Sequence, residues 1–169
     1  SQQNMKKDYT QINPVINEAY ALLQKAAART DGLSGLESGF TQLDKMTSGW
    51  QNSDLVIIAA RPAMGKTAFV LSMARNIAVD YKHPVALFSL EMSNVQLVNR
   101  LIVNVCEIPG EKIKSGQLAP YEWQQLDYKL KDLIDAPLYV DDTPSLSVFE
   151  LRTKARRLVR ELGVRMSII

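Results

Sequence analysis

Residues 55–69 read L-V-I-I-A-A-R-P-A-M-G-K-T-A-F, and this stretch restricts the fold more tightly than any other. Leu55, Val56, Ile57 and Ile58 have the composition of a strand buried on both faces of a parallel sheet. A turn-forming segment follows, then Gly65-Lys66-Thr67. Residues 66–81 come next, with Phe69, Val70, Met73, Ile77 and Ala78 at helical spacing. Strand, loop and helix start, in that order, build a phosphate-binding loop. Its backbone N–H groups wrap phosphates, a lysine ammonium reaches the terminal ones, and a Ser/Thr hydroxyl helps hold Mg²⁺. The helix N-terminus adds its dipole to the anion site. On this reading Arg61, Pro62, Ala63, Met64, Gly65, Lys66, Thr67 and Ala68 form the cradle for ATP. Lys66 neutralises phosphate charge and Thr67 is the metal ligand. Ala60 stands where the G-x-x-x-x-G-K-[ST] pattern has its first glycine. G-K-T alone is a weak signal, and the flanking strand and helix patterns lift it above an ordinary strand-to-helix turn.

Composition narrows the class. With 169 residues the chain can bury a real core, and 46% hydrophobic against 22% charged residues fits a soluble globular domain. A net charge of +2 is too small to imply a nucleic-acid partner by itself. Cys106 has no second cysteine to pair with and sits in an apolar helical stretch, so it reads as a small buried hydrophobe in a reducing compartment. The polar start resembles no signal peptide and no apolar run reaches transmembrane length, which points to the cytoplasm and away from a membrane. The single histidine, His83 in K-H-P, reads as a turn residue. It leaves no serine-histidine-acid set to argue, and nothing has the spacing of a zinc site.

Punctuation along the chain orders the elements. Residues 1–11 read as disordered. Asn13-Pro14 reads as a helix entry, with Asn as the cap, and the helix runs to about Arg29. Its apolar residues Ile12, Ile16, Ala19, Leu23 and Ala26 are spaced 4, 3, 4, 3, a narrow seam suited to one partner surface. Gly32, Gly35 and Gly39 break the pattern, which sets a linker boundary near residue 31 and two parts, 1–31 and 32–169. A turn and short helix then lead to the strand at 55–58. A second strand covers residues 85–90 and ends at Glu91. Ser93-x-x-Gln96 opens a helix by a capping box, Pro120 starts another over 121–134, and 138–140 is a third strand. Ser147-x-x-Glu150 caps a helix through Leu162, Gly163 ends it, and 164–169 begins a fourth strand. Alternating strands and helices without hairpin signals predict an α/β fold with a mainly parallel sheet.

Several strings then acquire a common meaning. S-L-E-M-S at Ser89 to Ser93, behind A-R-P-A-M-G-K-T, resembles the bacterial replicative DNA helicases of the DnaB family. G-L-S-G-L-E-S-G-F-T-Q-L-D is similar to that family's lead-in to its RecA-like motor. Y-V-D-D-T-P and K-A-R-R-L match it as well. The resemblance implies a linker helix followed by the first half of a RecA-like P-loop ATPase domain. It also implies that the Walker B aspartate, the DNA-binding loops and the arginine finger lie past Ile169. An N-terminal domain would be missing, so the chain is expected to be a fragment. By resemblance the parent hydrolyses ATP with Mg²⁺ and translocates on single-stranded DNA as a homo-hexamer, with primase and a helicase loader as partners. Another RecA-type ATPase of recombination or repair, and a nucleotide-dependent scaffold with little turnover, are the rival readings.

The resemblance gives Glu91 the catalytic role beside Lys66. A carboxylate at the carboxyl end of the strand next to the loop strand can orient and deprotonate the attacking water. The bland alternative is a helix-start acid that complements the dipole. L-Y-V-D-D mimics a strand ending in a metal-binding aspartate, but 166–169 is the better strand for that role. Asp141 and Asp142 are therefore read as turn or cap residues. Arg152, Lys154, Arg156, Arg157, Arg160 and Arg165 form a basic run without interleaved aromatics, read as a solvated face in preference to a DNA or subunit contact.

Overall fold

The computed structural model describes residues 9–169. The expected disorder of 1–11 thus falls largely on residues outside that range. The elements are α1 (Ile12–Ala27), α2 (Thr41–Thr47), α3 (Lys66–Arg75), β1 (Val85–Phe88), α4 (Asn94–Cys106), α5 (Gly110–Ser115), α6 (Pro120–Ile134), β2 (Leu138–Asp141), α7 (Val148–Leu162) and β3 (Met166–Ile168). A π-helical turn, Asn76–Asp80, continues α3, where an unbroken α-helix to residue 81 was expected. The chain divides into two compact units. One holds the residues up to Glu37 together with Thr41–Asp54, and the other holds Ser38–Phe40 and Leu55–Ile169.

In the first unit, α1 begins one residue before the expected cap. Gln11 is the N-cap, without a side-chain hydrogen bond, and Asn13 lies inside the first turn. Pro14 is accommodated because the first turn has no N–H to lose to an intrahelical bond. None of the helix is buried, and Ile12, Ile16 and Leu23 of the predicted seam stay exposed. Beyond it, Leu36 and Trp50 exchange backbone hydrogen bonds in an isolated antiparallel bridge around α2.

In the second unit the sheet order is β2-β1-β3, all parallel. Val85 faces Leu138 on one side and Met166 on the other. All four side chains of β1 are buried, which is why the strand is uniformly apolar. Fully burying each Val, Leu or Phe contributes roughly 1.5–3 kcal/mol. Ala86 and Phe88 pack with Val164 against Leu151 and Leu158 of α7. A separate cluster joins α4, α5 and α6 through Val105, Cys106, Ile108 and Leu126. Cys106 is fully buried there, and burial pushes its thiol above the ordinary range. No helix among the described residues is long and apolar enough to cross a membrane.

The expected first strand is not in this sheet. Leu55, Val56, Ile57 and Ile58 carry no regular structure, and Leu55 is 87% and Ile57 81% exposed. A strand is made by its ladder partner, and β propensity depends on that context. Both edges of β1 are already taken, so a fourth strand could enter only at an outer edge, and none of the described residues pairs with this run. The caps of α4 and α7 form as expected, while the strands expected over 85–90 and 164–169 are shorter, Val85–Phe88 and Met166–Ile168. Ser93 Oγ accepts from Gln96 N at 3.2 Å while Gln96 Oε1 accepts from Ser93 N at 3.0 Å, and Gly163 closes α7 at φ 65°. The short helix α5 has no counterpart in the sequence reading, being too short for a periodic pattern.

Two contacts bind distant segments to the second unit. Asn76 Nδ2 donates to Ser38 O at 3.1 Å, and the Phe40 ring stacks on Phe69 at 4.8 Å. Gly39 between them has φ 85°, and an added Cβ would collide with the Asn76 side chain. Gly39→Ala should therefore lower stability by about 1–3 kcal/mol, read as a fall in the thermal midpoint. At the end of β2, Lys154 Nζ of α7 donates to Asp141 Oδ2 at 2.8 Å, and Thr143 N donates to Oδ1 at 2.9 Å. The Lys154 hydrogen bond, then those from Thr143, hold the Asp141 carboxyl down at about 2 from its ordinary 3.8. A depressed carboxyl stabilises the fold above its unfolded value and loses that contribution as pH falls from about 3.8 toward about 2. Lys154→Met should raise the Asp141 titration part of the way back, since Thr143 remains, and should move acid unfolding to higher pH. At neutral pH the half-exposed pair should contribute below about 1 kcal/mol. Carboxyl-detected NMR titration and acid unfolding of the variant check both points.

Candidate functional site

The loop is built by its backbone. Met64 N donates to Arg61 O at 3.2 Å, closing a turn over Pro62 and Ala63. Ala63 has φ 62° and Gly65 φ 85° with ψ 19°, so the left-handed conformation occurs twice within three residues. Alternation of right- and left-handed residues turns successive N–H groups toward one side and makes an anion-binding concavity. Gly65 is required by its φ and not by space, since a Cβ there would meet nothing within 4 Å. Gly65 is the N-cap of α3 and makes no side-chain cap bond, so the first N–H groups of the helix remain available to an anion.

Lys66 is the first residue of α3 and Thr67 the second. Lys66 is exposed, and its ammonium has no ion-pair partner among the described residues. Thr67 is half-buried and Ala68 exposed. The loop residues Arg61, Pro62, Ala63 and Met64 are all exposed as well.

Glu91 lies in the turn 89–93 between β1 and α4, also exposed, with no hydrogen bond or ion pair among the described residues. Residues 81–84 lead from the end of the α3 helical run into β1, and the turn 89–93 follows β1 at its carboxyl end. That is where α/β folds hold ligands. Asn104 Nδ2 of α4 donates to Ser72 Oγ of α3 at 2.9 Å and joins the helices that follow the two segments. A cavity of about 350 Å³ lies elsewhere, between β1, β2 and Leu158, and no loop residue lines it.

The two aspartates at the end of β2, Asp141 its last residue and Asp142 the next, are turn and cap residues. Asp141 is held by Lys154 and Thr143, and Asp142 Oδ2 accepts from Asn94 N, the first residue of α4, at 2.8 Å. The sequence reading foresaw a capping role but not which helix is capped, because the partner stands 48 residues away. The basic run divides in a similar way. Lys154 pairs with Asp141 and Arg157 with Glu161, while Arg152, Arg156 and Arg160 are exposed. His83 sits before β1 with Nδ1 3.4 Å from Arg165 Nη1.

Residues 35–169 match the family described as DnaB-like helicase C terminal domain. The chain is 41% identical over its whole length to the Replicative DNA helicase DnaB of Geobacillus stearothermophilus, covering 37% of that protein. It is 39% identical over 95% of its length to the Replicative DNA helicase DnaC of Bacillus subtilis (strain 168), covering 36% of it. The chain thus spans little more than a third of these relatives. Among solved structures, one described as an ATPase domain superposes with TM-score 0.84 at 34% identity, over 94% of this chain and 56% of that one. A DnaB-like replicative helicase whose structure was described with its interactions with primase gives TM-score 0.82 at 34% identity, over 92% of this chain and 38% of that one. With a family match over residues 35–169 and relatives near 40% identity along the chain, the protein belongs to the DnaB-like helicase C-terminal domain family.

Proposed function

We propose that this chain supplies the ATP-handling half of a replicative DNA helicase motor. The observation that carries the reading is the loop 61–65, wound through left-handed Ala63 and Gly65 into the open N-terminus of α3, with Lys66 and Thr67 next in line. That cradle suits a triphosphate: N–H donors and a helix dipole for the phosphate oxygens, an unpaired ammonium for the terminal charge, and a hydroxyl in the first turn. Mg²⁺, when bound, supplies further neutralisation of the phosphate oxygens, and Thr67 is the residue here that would hold it.

In hydrolysis Lys66 draws charge from the terminal phosphate as the leaving oxygen departs. Glu91, without a hydrogen bond or ion pair among the described residues, accepts the proton of the attacking water and orients it. Work from this cycle drives translocation on single-stranded DNA and duplex unwinding. The relatives' names, Replicative DNA helicase, support that assignment.

A ring of identical subunits, in the family manner a hexamer, fits the exposed seam of α1. An isolated helix of 16 residues is marginal in water, so Ile12, Ile16 and Leu23 call for a surface on a neighbouring copy. We assign primase and a helicase loader as partners and the cytoplasm as the compartment. The description of one structural neighbour with primase supports the first of these.

Calorimetry with Mg²⁺ and ATP tests the site. Lys66→Ala should abolish binding, and equal binding by wild type and variant would remove the loop from the assignment. In the full-length protein Glu91→Gln should still bind ATP but turn it over about 10² to 10⁴ times more slowly. Light scattering on this chain and on one starting at Gly32 tests the seam. The shorter chain should be less associated, and an identical state for both across a wide concentration range would show that α1 does not carry the contact.

A further inference from the structure

Glu91 must present its carboxylate to one water, yet it sits in an exposed turn with no hydrogen bond of its own among the described residues. What holds the turn is therefore a question about its two ends. At the strand end, Ser89 N donates to Asp141 O at 2.9 Å, extending the β1–β2 ladder by one residue past Phe88. Ser89 Oγ then accepts from Met92 N at 3.0 Å and folds the turn back over Glu91. At the helix end, the Ser93–Gln96 capping box satisfies the N–H groups of Ser93 and Gln96. The N–H of Asn94 is left over, and it is met by Asp142 Oδ2 at 2.8 Å, a carboxylate from the neighbouring strand's end. Asp142 is itself anchored: the preceding residue ends β2 and is gripped by Lys154 and Thr143.

We infer that Asp142 is a positioning residue for ATP hydrolysis, fixing the turn 89–93 through the Asn94 amide so that the Glu91 carboxylate stays aimed at the attacking water. The end of β2 thereby grips the turn at both ends, by Asp141 O before Glu91 and by Asp142 Oδ2 after it. Without Asp142 no hydrogen bond among the described residues ties the first turn of α4 to the end of β2, and the capping box there is local to the helix. A carboxylate also complements the α4 N-terminus, but that contribution is to helix stability alone. The two effects predict different kinetics. A misplacement of about 1 Å in a catalytic group can cost on the order of 10²-fold in rate, while substrate binding, which Glu91 does not carry, is spared.

This inference rests on the reading of Glu91 as the base, and its test separates the two. Steady-state ATP hydrolysis is measured on the full-length protein for wild type, Asp142→Ala, Asp142→Asn, Glu91→Gln and the Asp142→Ala/Glu91→Gln pair, with thermal midpoints for each. Asp142→Ala should lower kcat about 10- to 100-fold with KM for ATP within about twofold. Asp142→Asn, whose amide oxygen can still accept from Asn94 N, should recover most of kcat. The double variant should be no slower than Glu91→Gln, because Asp142 acts only through that carboxylate. Wild-type kcat in Asp142→Ala overturns the inference while leaving Glu91 in place. So does a double variant whose losses multiply, or an Asp142→Asn as slow as the alanine variant. Wild-type turnover by Glu91→Gln removes the base reading, and the positioning role falls with it.

Discussion

The backbone of β1 can find partners only if strands lie on both sides of it, and this requirement organises the second unit. Its four side chains are buried on both faces, so no water reaches the strand to satisfy N–H or C=O groups. Val85 N turns to Pro137 O and Ser89 N to Asp141 O, at 3.0 and 2.9 Å, while Arg165 N reaches back to Pro84 O at 2.9 Å on the opposite edge. β2 and β3 are in register with each other because each is in register with β1. The turn that carries Glu91 is the continuation of that central strand, so a buried and fully laddered segment delivers an exposed carboxylate.

Rigidity is concentrated behind the site and sparse within it. The helices that follow the two candidate site segments are tied by Asn104 and Ser72, and α4 is packed against α5 and α6 through a dry cluster. A cluster partner at the end of α4, Cys106, has its carbonyl satisfied by Gln125 Nε2 at 3.0 Å, so even the helix terminus is accounted for. By contrast the loop 61–65 is exposed throughout and is shaped by one turn hydrogen bond and two left-handed residues. An anion that accepts from its N–H groups and from the first turn of α3 would supply what the protein itself leaves open. The Ser38–Gly39–Phe40 tripeptide, fastened to Asn76 and Phe69, belongs with this helix although α2 and its flanks separate the two in sequence.

Much was legible where the cause is local. Ser93 with Gln96, Ser147 with Gly163, and Pro120 marked helix ends correctly because a cap bonds to N–H groups within three residues of itself. The expected strand at 85–90 is present but stops at Phe88, after which Leu90 turns out to solvent, and the apolar setting of Cys106 marked a buried thiol. The same kind of signal misled at 55–58, where strand composition is present but no ladder partner is. It misled more mildly at Asn13, since a good capping residue does not cap when the chain is already helical one residue earlier. The turn at 61–65 and the helix start at Lys66 were readable because their geometry depends on short-range backbone conformation. The base role proposed for Glu91 rests on its place after a strand and on the family string around it.

By itself the sequence determined where most helices begin and end and the backbone demands of the loop that opens α3. Each of these is settled by interactions among residues close along the chain. Tertiary structure alone decided which strand is central, which apolar run lies outside the sheet, and which carboxylates are spoken for. Asp141 and Asp142 are adjacent and chemically identical, yet one faces Lys154 of α7 and the other the first N–H of α4. Successive residues at the end of a strand point to opposite sides, and what waits on each side is brought there by segments 13 and 48 residues away. No local rule can tell two neighbouring aspartates apart, because the difference between them is the difference between the two elements they meet.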